Sequence, residues 1–161
     1  MMKIYKAFRL PHLEYCSPLF VGILGTGQRN RLEDGNCYIL RTLIGHNVSQ
    51  CHTTSCSLAS MTSLYCRRLH QALILLFKCL NGTGPTYVGS LFKYRHTPYG
   101  LRGEGLNLEL TSNFNLKFKK NSFTYSLTNL RNSLPSQVRL SSNANDFRSK
   151  LDDCSFWERV L

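Results

Sequence analysis

Between Met61 and Leu80 apolar residues recur at three- and four-residue steps: Met61, Tyr65, Leu69, Ala72, Leu76 and Leu80. That is the period of an α-helix, and Leu73 and Phe77 widen the stripe until little of the circumference is left for water. A chain carrying such a segment has to fold around it. The segment then stops at Asn81-Gly82-Thr83-Gly84-Pro85. Asn and Gly tolerate the left-handed backbone that closes a helix, and Pro cannot continue one. The longest wholly apolar run within it, Ala72 to Phe77, ends at Lys78 and is far shorter than the roughly 20 residues that cross a bilayer.

Around this central helix the pattern predicts others. From Gln28 to Ile44, Leu32, Ile39, Leu40, Leu43 and Ile44 are spaced for a helix with charges between them, and Gly45 is placed to end it. Gly35 weakens that helix by about 1 kcal/mol relative to alanine. The stretch Ile4 to Leu24 is mixed, broken by Pro11 and Pro18, and runs into Gly22, Gly25 and Gly27. His46 to Ser57 is polar and reads as a loop, and Tyr87 to Phe92 fits a short helix. Tyr99 to Gly103 and Leu106 to Leu110 alternate as a short strand pair. Asn121 to Leu134 suits a helix closed by Pro135. Asn143 with Asp146 three residues on starts another, with Phe147 and Leu151 facing inward. The expected fold is therefore mainly α, a small helical domain with one short β-hairpin. A length of 161 residues favours one domain over two. Three segments follow: 1–45, 46–93 and 94–161.

Charge narrows the choice of partner. The chain has 20 Lys and Arg against 9 Asp and Glu, a formal net charge of +11. No acid occurs between Asp34 and Glu104, while Arg41, Arg67, Arg68, Lys78, Lys93, Arg95 and Arg102 fall inside that interval and Lys117, Lys119 and Lys120 follow it. Such an excess suits a polyanion, nucleic acid before an acidic membrane. It also suits plain solvated faces. Arg67 and Arg68 open the apolar helix, so at least one must reach out of it, where a guanidinium can hold a phosphate or a carboxylate. The 7 cysteines show no framework spacing, and Met1 to Lys6 leads into no apolar signal run. The expectation is an intracellular chain with reduced, mostly buried thiols.

Candidate chemistry is thin. Asp152-Asp153 ends a helical pattern, whereas two-metal catalysis needs carboxylates converging from separate strands. His46, Cys51, His52 and Cys56 are zinc-ligand types without the paired two-residue cysteine gap, and no Asp or Asn stands out to orient a Cys-His pair. Gly22-x-x-Gly25-x-Gly27 lacks the Gly-Lys-Ser/Thr of a phosphate loop and reads as a flexible turn. No cofactor is implied.

Several motifs, taken in order, resemble one family. They are Leu10-Pro-x-Leu-Glu-Tyr-Cys-Ser-Pro18; Arg31-Leu-Glu33 with Ile39-Leu-Arg-Thr-Leu-Ile-Gly45; and Leu64-Tyr-Cys-Arg-Arg-Leu69. Phe77-Lys-Cys-Leu-Asn-Gly82, Pro85-x-Tyr-Val88 and Tyr99-Gly-Leu-Arg102 follow. Ser122-Phe-x-Tyr125, Asn132-Ser-Leu-Pro135 and Phe147-Arg-x-Lys-Leu151 complete the series. Together they resemble the region after the palm in reverse transcriptases of LINE-type non-LTR retrotransposons, over nearly the whole chain. The chain departs from the family at Arg131, where a Trp is usual, near Phe20, where a Trp is common, and at Asp34-Gly35-Asn36-Cys37.

The resemblance implies a thumb and post-thumb fragment of an RNA-directed DNA polymerase, an incomplete piece of a larger fold. It implies no catalytic residue, because the family's aspartates belong to the palm. It also implies apolar surface left open where the palm would sit. The function expected is non-sequence-specific binding of RNA or DNA through backbone phosphates by Arg67, Arg68, Lys78, Lys93, Arg95, Arg102, Lys117, Lys119 and Lys120, with Tyr94 and Tyr99 for stacking. The alternatives are a helical protein-interaction module using the Met61-to-Leu80 face, and an independent hydrolase or metalloprotein.

Overall fold

The computed structural model describes residues 2–44, 62–96, 106–110 and 122–152. Its longer helices are α1 (Thr26–Ile44), α2 (Leu64–Leu80), α3 (Phe123–Asn132) and α4 (Ala144–Asp152). Short helical turns at Thr86–Gly89 and Ser136–Arg139 follow Pro85 and Pro135. The fold is mainly helical, as the periodicity predicts.

The chain's centre is α2. Ser63 accepts a hydrogen bond from the Cys66 amide and caps its start. At its end, Gly82 takes the left-handed conformation with φ of 73°, and the amides of Thr83 and Gly84 both return to the Lys78 carbonyl. A side chain on Gly84 would meet the Cys79 backbone nitrogen at 2.9 Å, so the exit chain can lie against the helix only because this residue is glycine.

Three apolar clusters surround α2, and it contributes to each. Leu64 joins Tyr5, Leu10, Cys37 and Leu40. Leu69, Ala72 and Leu76 meet Val21, Phe92, Leu108 and Leu127. Leu73, Ile74 and Phe77 pack on Leu134, Val138, Phe147 and Leu151, with the Phe77 and Phe147 rings stacked at 4.4 Å. From Leu64 to Leu80 the stripe expected to bind another helix packs against other segments of the chain, and Met61 lies outside the described residues.

Two segments differ from expectation. The opening stretch is helical despite Pro11: Met2–Ile4, the π-helical Tyr5–Arg9 and Leu10–Glu14 run on in sequence, and 3₁₀ turn Ser17–Phe20 follows. The Leu10 amide bonds to the Tyr5 carbonyl, and the wider π turn lets Pro11 enter where its missing N–H is tolerated. No sheet occurs among the described residues. The first half of the expected hairpin, Tyr99 to Gly103, lies outside them. Its second half instead forms an isolated antiparallel bridge from Leu108 to Tyr94. The Arg95 amide donates to the Asn107 carbonyl and the Glu109 amide to the Lys93 carbonyl.

No helix among the described residues is long and apolar enough to cross a membrane. Cys37, Cys66 and Cys79 are buried thiols outside any disulfide, and Cys16 is an exposed one.

Candidate nucleic-acid interface

The two arginines at the start of α2 hold the opening segment in place. Arg67 Nε donates to Glu14 Oε1 at 2.5 Å, and Gln71 Nε2 donates to Glu14 Oε2 at 3.1 Å. Ser17 Oγ donates to Gln71 Oε1 at 2.6 Å. Arg68, only 9% exposed, donates from Nη2 to the Leu13 carbonyl at 2.6 Å. Burial lowers the Arg68 pKa, partly offset by the charges of Glu33 and Glu14. Leu10–Pro18 and Arg67-Arg68 are thus two halves of one polar lock, although more than fifty residues separate Glu14 from Arg67. Of the two arginines expected to meet phosphates, the structure thus sets Arg67 against a carboxylate and buries Arg68.

Other predicted cations are free of that duty. Lys78, at the end of α2, is exposed, as are Lys93 and Arg95. Lys93 and Arg95 flank the Tyr94 bridge, and the extended backbone's alternation puts them on the face opposite Tyr94. Arg102, Lys117, Lys119 and Lys120 lie outside the described residues, as does Tyr99. Tyr94 is 40% exposed, but the Arg131 guanidinium lies over its ring at 5.6 Å.

That contact explains Arg131 at its position. Burial lowers its pKa, and Nη1 donates to the Leu106 carbonyl at 2.5 Å. Beside it, Asn132 grips Leu108 through two bonds of 2.9 Å, its Oδ1 accepting from the amide and its Nδ2 donating to the carbonyl. The Asn132 side chain thereby serves segment 106–110 as a neighbouring strand would. Arg139 adds a bond to the Asn107 side chain.

A cleft of 570 Å³ opens at the start of α1, lined by Gly22, Gly25, Thr26 and Arg29, by Tyr125 and Asn129 of α3, and by Tyr65 and Arg68 of α2. A second cavity, of 450 Å³, is lined by Cys66, Arg67, His70, Gln71, Arg148 and Asp152 among others. His70 Nε2 lies 2.9 Å from Asp152 Oδ1. Burial nonetheless lowers the His70 pKa, with Asp152 opposing and Arg148 assisting. Burial raises the Cys66 thiol pKa, so at neutral pH this cavity holds a protonated thiol and no activated nucleophile. Asp152 is exposed and paired with His70; Asp153 lies outside the described residues, as do His46, Cys51, His52 and Cys56. Among the described residues no group of three or more His, Cys, Asp or Glu could hold a metal ion.

Residue patterning misses Glu14, Gln71, Asn132 and Arg29. Glu14 and Asn132 do leave a trace, each falling inside a motif of the resemblance. No protein-family model, curated protein or solved structure matches this chain.

Proposed function

We propose that the chain is a non-catalytic, thumb-like piece of a retrotransposon RNA-directed DNA polymerase that grips RNA or DNA through backbone phosphates without reading sequence. One observation carries the reading: Lys78, Lys93 and Arg95 are exposed within a stretch that contains no acid, in a chain of net charge +11. Cations without local carboxylates leave their charge for a polyanion. Two further features are consistent with it. Leu10–Pro18 and the Arg67-Arg68 helix, both motifs of the resemblance, meet in one polar lock. Ile4, Phe8, Tyr15, Leu19, Phe20, Ile23 and Tyr38 are exposed, all within the first 38 residues. An apolar surface of that kind suits a neighbouring domain of a larger polymerase fold.

The test is a salt titration of binding to single-stranded RNA and DNA by the full chain. The logarithm of affinity is expected to fall linearly with the logarithm of salt. Replacing Lys78, Lys93 or Arg95 by Gln is expected to reduce that slope by about 0.7 each if each meets one phosphate. Arg67→Gln, whose parent pairs with Glu14, is expected to leave it unchanged. A flat plot rejects phosphate binding altogether.

The exposed N-terminal apolar surface favours a second reading, a protein-interaction module without a nucleic-acid role. It predicts no salt-dependent binding of either nucleic acid.

A further inference from the structure

The cleft at the start of α1 has the chemistry of an anion site. Gly25 opens the helix: its carbonyl accepts from the amides of Gln28 and Arg29, and Gln28 Oε1 reaches back to accept from the Gly25 amide. Half of a capping box is therefore present, but glycine has no side-chain oxygen to offer the first-turn amides. A Cβ placed on Gly25 or Gly27 would meet nothing within 4 Å, so the space beside these two residues is open. The helix start carries partial positive charge.

Two arginines add to it independently. Arg68 is nine-tenths buried, lines the cleft and has no hydrogen-bond partner for its Nε. Arg29 also lines the cleft; its guanidinium stacks 4.7 Å from the centre of the Tyr65 ring, and its Nε likewise lacks a partner. Stacking on a ring face leaves a guanidinium's in-plane edge available to a tetrahedral oxyanion, while the two shielded Nε groups contribute positive charge beside the cleft rather than direct contacts. No Asp or Glu is among the residues lining the cleft, although the charges of Glu33 and Glu14 act on Arg68 and Glu33 accepts from the Tyr65 amide. Phe20 and Leu130 give it an apolar wall.

We infer that this cleft is a phosphate site, formed by the first turn of α1 with Arg29 and Arg68, and that it seats one backbone phosphate of a bound nucleic-acid strand. The second clause rests on the nucleic-acid reading above; the first does not. The glycine-rich turn of residues 22–27 thus leads into a phosphate-binding helix start without the sequence of a phosphate loop.

The test uses the full chain. Inorganic phosphate, added at constant ionic strength, is expected to shift the Gly25, Thr26 and Gly27 amide resonances saturably. Thr26→Glu and Arg29→Gln are each expected to weaken binding of a short oligothymidylate about tenfold. Thr26→Glu should leave the thermal midpoint unchanged or higher, because an acid in the first turn favours the helix, so its loss of binding is not loss of fold. Unchanged oligonucleotide affinity in both variants overturns the site while leaving the nucleic-acid reading intact. Saturable phosphate shifts with no oligonucleotide binding at all overturn the strand as occupant and the proposed function, and support the anion site alone.

Discussion

Asn132 shows how much one side chain can organise. Its amide satisfies both backbone groups of Leu108, a residue that is 1% exposed and sits in the central cluster. Asn132→Ala is expected to cost about 1–3 kcal/mol in urea denaturation, because a buried N–H and C=O lose their partners together. Arg131, one residue earlier, stands where the resembled family keeps a tryptophan, and it holds the adjacent backbone through Leu106 while covering Tyr94. His70 supplies the pH dependence. Burial depresses its folded-state pKa below the usual 6.5, so the unfolded chain binds this proton more readily. Stability is therefore present above the unfolded value and is lost as pH falls through 6.5 towards the lower folded value. His70→Gln is expected to flatten the curve of thermal midpoint against pH between about pH 7 and 5.

At the scale of elements, α2 contributes buried residues to all three apolar clusters. Phe77→Ala removes a ring that is 9% exposed and stacked on Phe147, and is expected to cost about 3–5 kcal/mol by chemical denaturation. This helix, its exit at Asn81-Gly82 and the inward Phe147 and Leu151 of α4 were readable because apolar period and turn chemistry are local signals. Asn143 was readable too: its Oδ1 accepts from the Asp146 amide, while Asp146 Oδ2 accepts from the Ser142 amide. The opening segment was not, because Pro11 reads as a breaker while the π turn that accommodates it leaves no mark in composition. Nor was the bridge between Tyr94 and Leu108, whose second side is completed by a helix side chain from Asn132. Pairing of that kind has no period to find.

For the whole molecule, charge was legible and its placement was not. The sequence puts nine cations into one candidate set. The structure ties Arg67 to Glu14, buries Arg68 and exposes Lys78, Lys93 and Arg95. Side-chain partners fifty residues away decide that division, and no reading of neighbours along the chain can supply them. Arg29 illustrates the converse, an unremarkable position in sequence that the packing of α1 on α2 turns towards a cleft. The membership of α2 in all three clusters has a last consequence, for cooperativity. With no second axle among the described residues on which a cluster could survive by itself, local fluctuations are expected to leave α2 shut, its middle amides opening only with global unfolding. Hydrogen–deuterium exchange from Leu69 to Phe77 should then report the global unfolding free energy, one uniform protection factor along two turns of backbone.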